Sequence, residues 1–387
     1  MPERIVYADC AATKPVSARA LAAAMPYFTE AFGNPSAVYS RGMKAARAVL
    51  DARRQIAALI GADVRELIFT SGGTESDSQA IRGAAELGAA SGKRHIITSA
   101  VEHHAVLESC KYLERQGFEV TYLPVDSEGR VSVEVLADSI RQNTALVSII
   151  HTNNEIGTIN PISDLAALCK SRGVLFHTDA TAAMDNCIIN VRELGVDMLS
   201  FSGHKFGAMK GIGGLYVREG ISLPPLLYGG AQENRRRAGT ENVPAIISMA
   251  EALKETREEL EKNSVFTAHM RDELIKGLLK IPGSRLNGPA NDRATGNVNV
   301  SFEGVEGESL VLMLDMYGIQ TSSGSACTSS SPKPSHVLKA IGLDNALAKG
   351  SLRLTISSSN TSEDIAYILK TVPEVVERLR SLSPYRK

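Results

Sequence analysis

Short apolar segments alternate with longer amphipathic segments through the first half of the chain. The short segments are rich in Ile, Val, Leu and Phe, which is typical of buried β-strands. They are ELIFT (66–70), HIITS (95–99), EVTYL (119–123), ALVSIIHT (145–152), GVLFHTD (173–179) and DMLSFS (197–202). The segments between them, such as 44–62 and 162–173, have helical periodicity. Strands and helices in alternation predict an α/β fold, with a mostly parallel sheet covered on both faces.

The chain is long enough for a second, smaller unit. It has 387 residues, of which 43% are hydrophobic, and a chain of this size usually divides into more than one core. The charged helical segment at 249–263 is typical of a connection between two units. We predict a large domain over 14–256 and a smaller α+β domain formed by 1–13 and 257–387.

Composition argues against several classes of function. A net charge of −1 suggests neither a nucleic-acid nor a membrane partner, and no apolar run reaches the roughly 18 residues of a membrane span. The opening segment lacks the pattern of a signal peptide. The five cysteines are scattered without a CxxC pair, which argues against disulfides and a metal site. We therefore expect a cytoplasmic protein without a structural metal.

Polar residues follow several predicted strands, where ligand sites of parallel sheets lie. SGGTES (71–76) follows the first of them and leads into a helix, as a phosphate cradle does. Taken alone, this motif is better explained as an ordinary strand-to-helix turn that is N-capped by Thr74. The later strands are followed by Asn153 and Asn154, by Asp179, and by His204 and Lys205.

A phosphate cradle, a carboxylate and a lysine at one edge of a sheet fit pyridoxal 5′-phosphate. The aldehyde of this cofactor bonds to a lysine amine, and its ring nitrogen needs an anionic partner. We predict that Lys205 binds the aldehyde and that Asp179 pairs with the ring nitrogen. A further residue, Cys327, lies in the segment TSSGSACTSSSPKPS (321–335), where few apolar neighbours explain a thiol.

Several longer motifs together resemble one family. They are FGNPSAVYSRG (32–42), FTSGGTES (69–76), VEHHAVLESC (101–110), HTNNEIGTINPI (151–162), HTDAT (177–181), SFSGHKFGAMKGIGGLYV (200–217), RRRAGTENV (235–243) and SSGSACTSSSPKPSHVL (322–338). The chain is similar to cysteine desulfurases of the nitrogen-fixation and iron–sulfur-cluster type, in the class V aminotransferase group. This resemblance implies fold type I, a bound pyridoxal phosphate and a homodimer.

The resemblance also implies the reaction. Free L-cysteine binds at the cofactor, the Cys327 thiolate attacks its sulfur, and a persulfide forms while L-alanine leaves. A thiol of ordinary pKa, about 8.5, is only partly ionised at neutral pH. The sulfur then passes to an acceptor protein, a scaffold or a carrier, for iron–sulfur clusters or for other thio-cofactor or tRNA synthesis.

Further roles follow from the resemblance alone. His103 stacks on the ring and moves protons, for which the pKa of histidine is suited. Asn154 lies near the ring hydroxyl and the substrate, and Arg353 binds the substrate carboxylate. The implied phosphate contacts are Gly73, Thr74, Ser202 and His204, with Thr240 donated across the dimer interface.

Three positions depart from the family pattern. Ala182 stands where a glutamine usually donates to the ring oxygen, Asn234 stands where an arginine is usual, and Cys10 replaces a tyrosine or asparagine. These departures leave alternatives open. One is a related enzyme: a selenocysteine lyase, a cysteine-sulfinate lyase or an aminotransferase. Another is a non-catalytic pyridoxal-phosphate protein that serves sulfur transfer.

Overall fold

A computed structural model describes residues 4–324 and 334–382, and Cys327 lies outside the described residues. The strands are β1 (Val6–Tyr7), β2 (Leu67–Thr70), β3 (His95–Ser99), β4 (Glu119–Leu123), β5 (Thr144–Ser148), β6 (Leu175–Asp179), β7 (Met198–Ser202), β8 (Gly213–Val217), β9 (Ser284–Leu286), β10 (Asn297–Phe302), β11 (Ile319–Gln320) and β12 (Ser351–Thr355).

Helices separate most of these strands. The α-helices are α1 (Ala18–Ala24), α2 (Pro26–Thr29), α3 (Ser40–Leu59), α4 (Gly73–Ala90), α5 (His104–Arg115), α6 (Val133–Ser139), α7 (Ile162–Ser171), α8 (Val191–Leu194), α9 (Val243–Leu278), α10 (Gly307–Met316), α11 (His336–Ala340), α12 (Asn345–Lys349) and α13 (Ser362–Leu382). Short 3₁₀ helices cover Val64–Glu66, Gly203–Lys205 and Gln232–Arg235.

A seven-stranded sheet forms the larger part of the fold, in the order β2-β8-β7-β6-β5-β3-β4. The pairs from β7 to β4 are all parallel, whereas β8 runs antiparallel to both of its neighbours. The predicted α/β class with a mostly parallel sheet is therefore confirmed. Its parallel strands place their carboxyl ends along one edge.

The six predicted strands are all present in this sheet, with two differences. The strand predicted over 145–152 ends at Ser148, and β8 was not predicted as a strand. Its sequence begins with two glycines, which give no strand pattern. Those glycines are needed for packing, because a Cβ on Gly213 would lie 2.6 Å from Cα of Gly72.

Helices cover both faces of the large sheet. One face packs against apolar residues of α3 and α7, among them Val49, Ile56 and Leu165. The other face packs against α4 and α5, through side chains that include Ile81 and Val106. Fully burying such a side chain contributes about 1.5–3 kcal/mol, so the two layers fix the position of the strand ends.

A second apolar core lies around a smaller antiparallel sheet, ordered β12-β10-β9. It includes Val298 and Leu354 from the sheet and Ile368 from α13. Val6 and Ala8, near the start of the chain, also belong to this core, and β1 pairs in parallel with β11. The assignment of 1–13 and 257–387 to one domain remains a prediction.

One helix, α9, joins the two cores. Residues near its start, such as Ile246 and Leu253, are buried in the core of the large sheet. Residues near its end, such as Met270 and Leu274, are buried in the second core. Within the described ranges, no helix is both long and apolar enough to cross a lipid bilayer.

Candidate active site

Two adjacent parallel strands end in the residues predicted to hold the cofactor. Asp179 is the last residue of β6, and β7 ends at Ser202, directly before the 3₁₀ turn that contains Lys205. Strands β6 and β7 are hydrogen-bonded neighbours, with Asp179 in register with Ser200. A carboxylate and an amine are therefore brought to the same edge of the sheet.

The Lys205 amine lies against the start of the chain. Its Nζ donates hydrogen bonds to the carbonyl oxygens of Ala11, at 2.5 Å, and Ala12, at 3.1 Å. Lys205 also lines a cavity, together with Asn154 and Ala182. Residues from the N-terminal segment thus hold the amine at the wall of this cavity.

Asp179 and His103 lie close together, with one Asp179 carboxyl oxygen and one His103 ring nitrogen within 4.8 Å of each other. Asp179 is buried, and its Oδ1 accepts a hydrogen bond of 2.8 Å from the backbone N–H of Thr181. His103 is the N-cap of α5, where its Nδ1 accepts from the N–H of Ala105 at 3.1 Å. Burial lowers the pKa of His103, the Asp179 charge opposes this shift, and the charge of Lys205 adds to it. A largely neutral imidazole can accept a proton.

The N-terminus of α4 has the features of a phosphate cradle. The helix begins at Gly73 after its N-cap Gly72, and no side-chain cap hydrogen bond is made there by the residues that the structure describes. A Cβ on Gly73 would lie 2.8 Å from Oγ1 of Thr181, and one on Gly72 would lie 3.6 Å from Oγ of Ser202. Oγ1 of Thr181 is buried and has no hydrogen-bond partner among the described residues. Two hydroxyls and a helix N-terminus therefore fit a phosphate group.

The other predicted phosphate contacts differ in their surroundings. Thr74 is exposed at the first turn of α4. His204 Nδ1 lies 3.2 Å from Oγ1 of Thr13, and burial together with Lys205 and Lys210 lowers the His204 pKa to about 4. Thr240 is exposed in the loop before α9, and its contact across a dimer interface remains a prediction.

Arg353, the predicted ligand of the substrate carboxylate, is buried on β12 and already forms an ion pair. Its Nη2 donates a hydrogen bond of 2.8 Å to Oδ1 of Asp9, and its Nη1 lies 3.5 Å from the carbonyl oxygen of Asn154. Its Nε is buried without a partner in the part of the chain that the structure describes. The guanidinium therefore joins three segments and keeps one donor for a ligand.

The three departures from the family pattern lie in different places. Ala182 and Cys10 line the cavity that contains Lys205, and burial raises the pKa of the Cys10 thiol. Ala182 offers this cavity no side-chain donor. Asn234 is exposed and has a left-handed backbone with φ of 57°, a conformation that asparagine tolerates better than most residues.

Three residues with a place in this site were not predicted from the sequence. Thr181 belongs to the motif HTDAT (177–181), and its position two residues after Asp179 was the available sign of a place in the site. Asp77 appears in the sequence as a polar residue of a helix, and its spacing of four from Gly73 was the available sign of a shared face. Glu155, next to Asn154, is buried and accepts a hydrogen bond from Ser335.

Comparison with known proteins gives the family. The class-V aminotransferase family matches residues 6–368. A cysteine desulfurase IscS from Methanosarcina thermophila is 51% identical over 98% of this chain and 94% of its own length. A solved NifS-like protein has a TM-score of 0.91 and 36% identity, over 97% of this chain and all of that one. The structure of SspA in complex with cysteine has a TM-score of 0.81 and 36% identity, over 90% of this chain and 98% of that one. The chain belongs to the class-V aminotransferase family.

Proposed function

We propose that this protein is a pyridoxal-phosphate-dependent L-cysteine desulfurase, which forms a persulfide on Cys327 and releases L-alanine. The observation that carries this proposal is the meeting of Lys205 and Asp179 at neighbouring strand ends, beside the start of α4. The similarity to a cysteine desulfurase over nearly the whole chain supports the same reaction. The cysteine bound to the related SspA supports L-cysteine as the substrate.

The side chains of the site fit the cofactor group by group. Bound pyridoxal phosphate supplies an electron-withdrawing ring that weakens bonds in an attached amino acid. Lys205 would hold the aldehyde carbon and Asp179 would keep a proton on the ring nitrogen. The first N–H groups of α4, with Ser202 and Thr181, would bind the phosphate.

The chain's own residues then orient the substrate and move protons. Arg353 binds the substrate carboxylate through its Nε donor, which has no partner among the described residues, and Asn154 lies beside it. His103 takes a proton from the substrate and returns one to the product, since burial keeps much of its imidazole neutral.

Sulfur transfer requires the thiolate of Cys327, which lies outside the described residues. This thiolate attacks the sulfur of cysteine, and a sulfur–sulfur bond forms as the carbon–sulfur bond breaks. The electron pair of the broken bond remains with the carbon, which gains a proton and becomes the methyl group of alanine. The enzyme thiol and cysteine are thus converted to the enzyme persulfide and alanine, and no other oxidant or reductant is needed.

The active form that we propose is a cytoplasmic homodimer. Several large apolar side chains are exposed on this single chain, among them Val38, Tyr39 and Tyr228, and a second copy would cover such residues. Thr240 of one subunit would then reach the phosphate site of the other. The persulfide sulfur would pass to an acceptor protein, a scaffold or a carrier, for cluster assembly or another thiolation pathway.

The proposal is tested by assaying purified protein with L-cysteine and a thiol reductant. We expect alanine and sulfide in equal amounts, and mass spectrometry should find one added sulfur on the peptide that contains Cys327. Cys327→Ala should lose both products and keep the cofactor's visible absorbance, whereas the control Cys187→Ala should keep all three. Full turnover by Cys327→Ala would overturn the role of this thiol. Cofactor binding without alanine from cysteine would overturn the activity.

A further inference from the structure

Asp77 is a buried carboxyl group beside the candidate active site, without a role in the reaction described above. It lies in the second turn of α4 with 1% of its surface exposed. One of its carboxyl oxygens, one Asp179 carboxyl oxygen and one His103 ring nitrogen all lie within 4.8 Å of one another. Asp77 therefore lies beside Asp179, the predicted partner of the ring nitrogen.

The contacts of Asp77 do not suit a carboxylate ion. Its Oδ1 is buried and has no hydrogen-bond partner in the described part of the chain. The nearest cationic candidate is Nε2 of His177, at 3.7 Å. Both His177 ring nitrogens already face hydroxyls, Ser148 at 2.8 Å and Ser200 at 2.9 Å. Burial lowers the pKa of His177 to about 4, so this ring supplies no positive charge at neutral pH.

The charges that face Asp77 favour its neutral form. Burial raises the pKa of Asp77 most, followed by the nearby Asp179 charge, whereas a hydrogen bond with Ser200 opposes them and Glu102 adds to them. Glu102, in the loop after β3, is itself buried, which raises its pKa to about 8 and leaves it mostly uncharged at pH 7. His103, at the start of α5, is the remaining titratable group of the cluster. Two adjacent buried carboxyls cannot both ionise without a large cost in free energy.

We propose that Asp77 is a positioning residue for Asp179: the two carboxyl groups share one negative charge, and the proton resides on Asp77. Its function is to place a polar but uncharged group beside Asp179. The single negative charge then stays on Asp179, the proposed partner of the ring nitrogen. His103 is therefore close to one negative charge instead of two. This inference rests on the proposed function, since it takes Asp179 as the partner of the cofactor ring.

The test compares Asp77→Asn, which keeps the shape and removes the acid, with the wild type. A carboxyl that is protonated only when folded makes the folded protein bind one more proton than the unfolded chain. The unfolding constant of the cofactor-free protein then rises with pH, by up to about tenfold per pH unit from this group. We expect Asp77→Asn to lose this contribution between pH 5 and 7. Asp138→Asn, an exposed control, should keep it.

A second measurement examines the cofactor. Asp77→Asn should bind pyridoxal phosphate at pH 7.5 within about threefold of the wild-type affinity, with the same visible spectrum. The proposal would be overturned if the unfolding constants of Asp77→Asn and the wild type depended equally on pH. It would also be overturned if a folded Asp77→Asn variant lost tenfold or more in cofactor affinity. Neither readout requires turnover, so alanine release tests the proposed function separately.

If Asp77→Asn does not fold, infrared spectra of the wild type decide the question. With aspartate labelled by ¹³C, we expect the carbonyl band of a protonated aspartic acid at pH 7. Absence of this band would overturn the assignment of the proton to Asp77.

Discussion

The Ser335 hydroxyl donates a hydrogen bond of 2.5 Å to Oε2 of Glu155. A Cβ placed on Gly324 would lie 3.3 Å from the same oxygen. The described residues on the two sides of 325–333 therefore meet at one carboxyl group. The backbone oxygen of Glu155 also accepts hydrogen bonds from Asn297, at 3.1 Å, and Asn299, at 3.0 Å, which joins this point to β10.

We expect Glu155→Gln to change how stability depends on pH. Burial raises the pKa of Glu155 from 4.5 to about 7, although Ser335 and Arg353 oppose the shift. The folded protein thus holds a proton that the unfolded chain releases, so this stabilisation is complete below about pH 4.5 and is lost as pH rises to about 7. In urea unfolding, the fall in free energy between pH 5 and 8 should be smaller in Glu155→Gln by roughly 2–3 kcal/mol. Parallel pH profiles for the two proteins would contradict this prediction.

Arg353→Lys should weaken substrate binding more than cofactor binding. A lysine cannot reproduce the fork of donors that pairs with a carboxylate, and it would leave Asp9 with a poorer partner than the present 2.8 Å contact. We expect the KM for cysteine to rise by about tenfold or more, which corresponds to about 1.4 kcal/mol, with little change in the cofactor spectrum. Steady-state kinetics measure this, and Arg293→Lys, at another buried arginine, is the control. An unchanged KM would assign Arg353 a structural role only.

Lys205→Ala should remove the visible absorbance of the bond between this lysine and the cofactor, and it should reduce alanine release by at least about a thousandfold. Among the described residues, no other lysine lines the cavity that contains Lys205. The matched control is Lys210→Ala, since Lys210 is exposed and only five residues away. The control should retain the colour and most of the activity. Retention of the wild-type spectrum by Lys205→Ala would contradict the assignment of the amine.

Thr181→Val should weaken cofactor binding without loss of stability. Oγ1 of Thr181 makes no hydrogen bond with a described residue, so its removal costs the fold little, whereas a phosphate would lose one donor. Net hydrogen-bond contributions of about 1–1.5 kcal/mol predict a rise of about tenfold in the Kd of pyridoxal phosphate. Titration of the cofactor-free protein measures this value, and Thr181→Ser should restore the affinity. Equal affinities for Thr181→Val and wild type would place the phosphate elsewhere.

The strand ends could be predicted from the sequence because apolar strand patterns are local. Asp179 and Lys205 each follow such a pattern directly, and parallel pairing brings them to one edge. Strand β8 could not be predicted in the same way, since its leading glycines are set by close packing against residues distant in sequence, such as Gly72.

The electrostatic partners in the site depend on the three-dimensional fold. Asp9 and Arg353 are 344 residues apart in the chain, so no local pattern predicts their pairing. Asp77 and Glu155 resemble ordinary surface acids in the sequence, and only their burial distinguishes them. The departure from the family pattern at Ala182 was visible in the sequence. Only the structure shows that Ala182 lines the same cavity as Lys205.

Helix α9 gives the molecule a mechanical property. The first turns of α9 are buried in one core and its last turns in the other. Unfolding of either core therefore removes packing contacts that stabilise this helix. The two cores should therefore unfold cooperatively, in a single calorimetric transition. A rotation of one core relative to the other would have to bend α9 within its charged segment, residues 254 to 263.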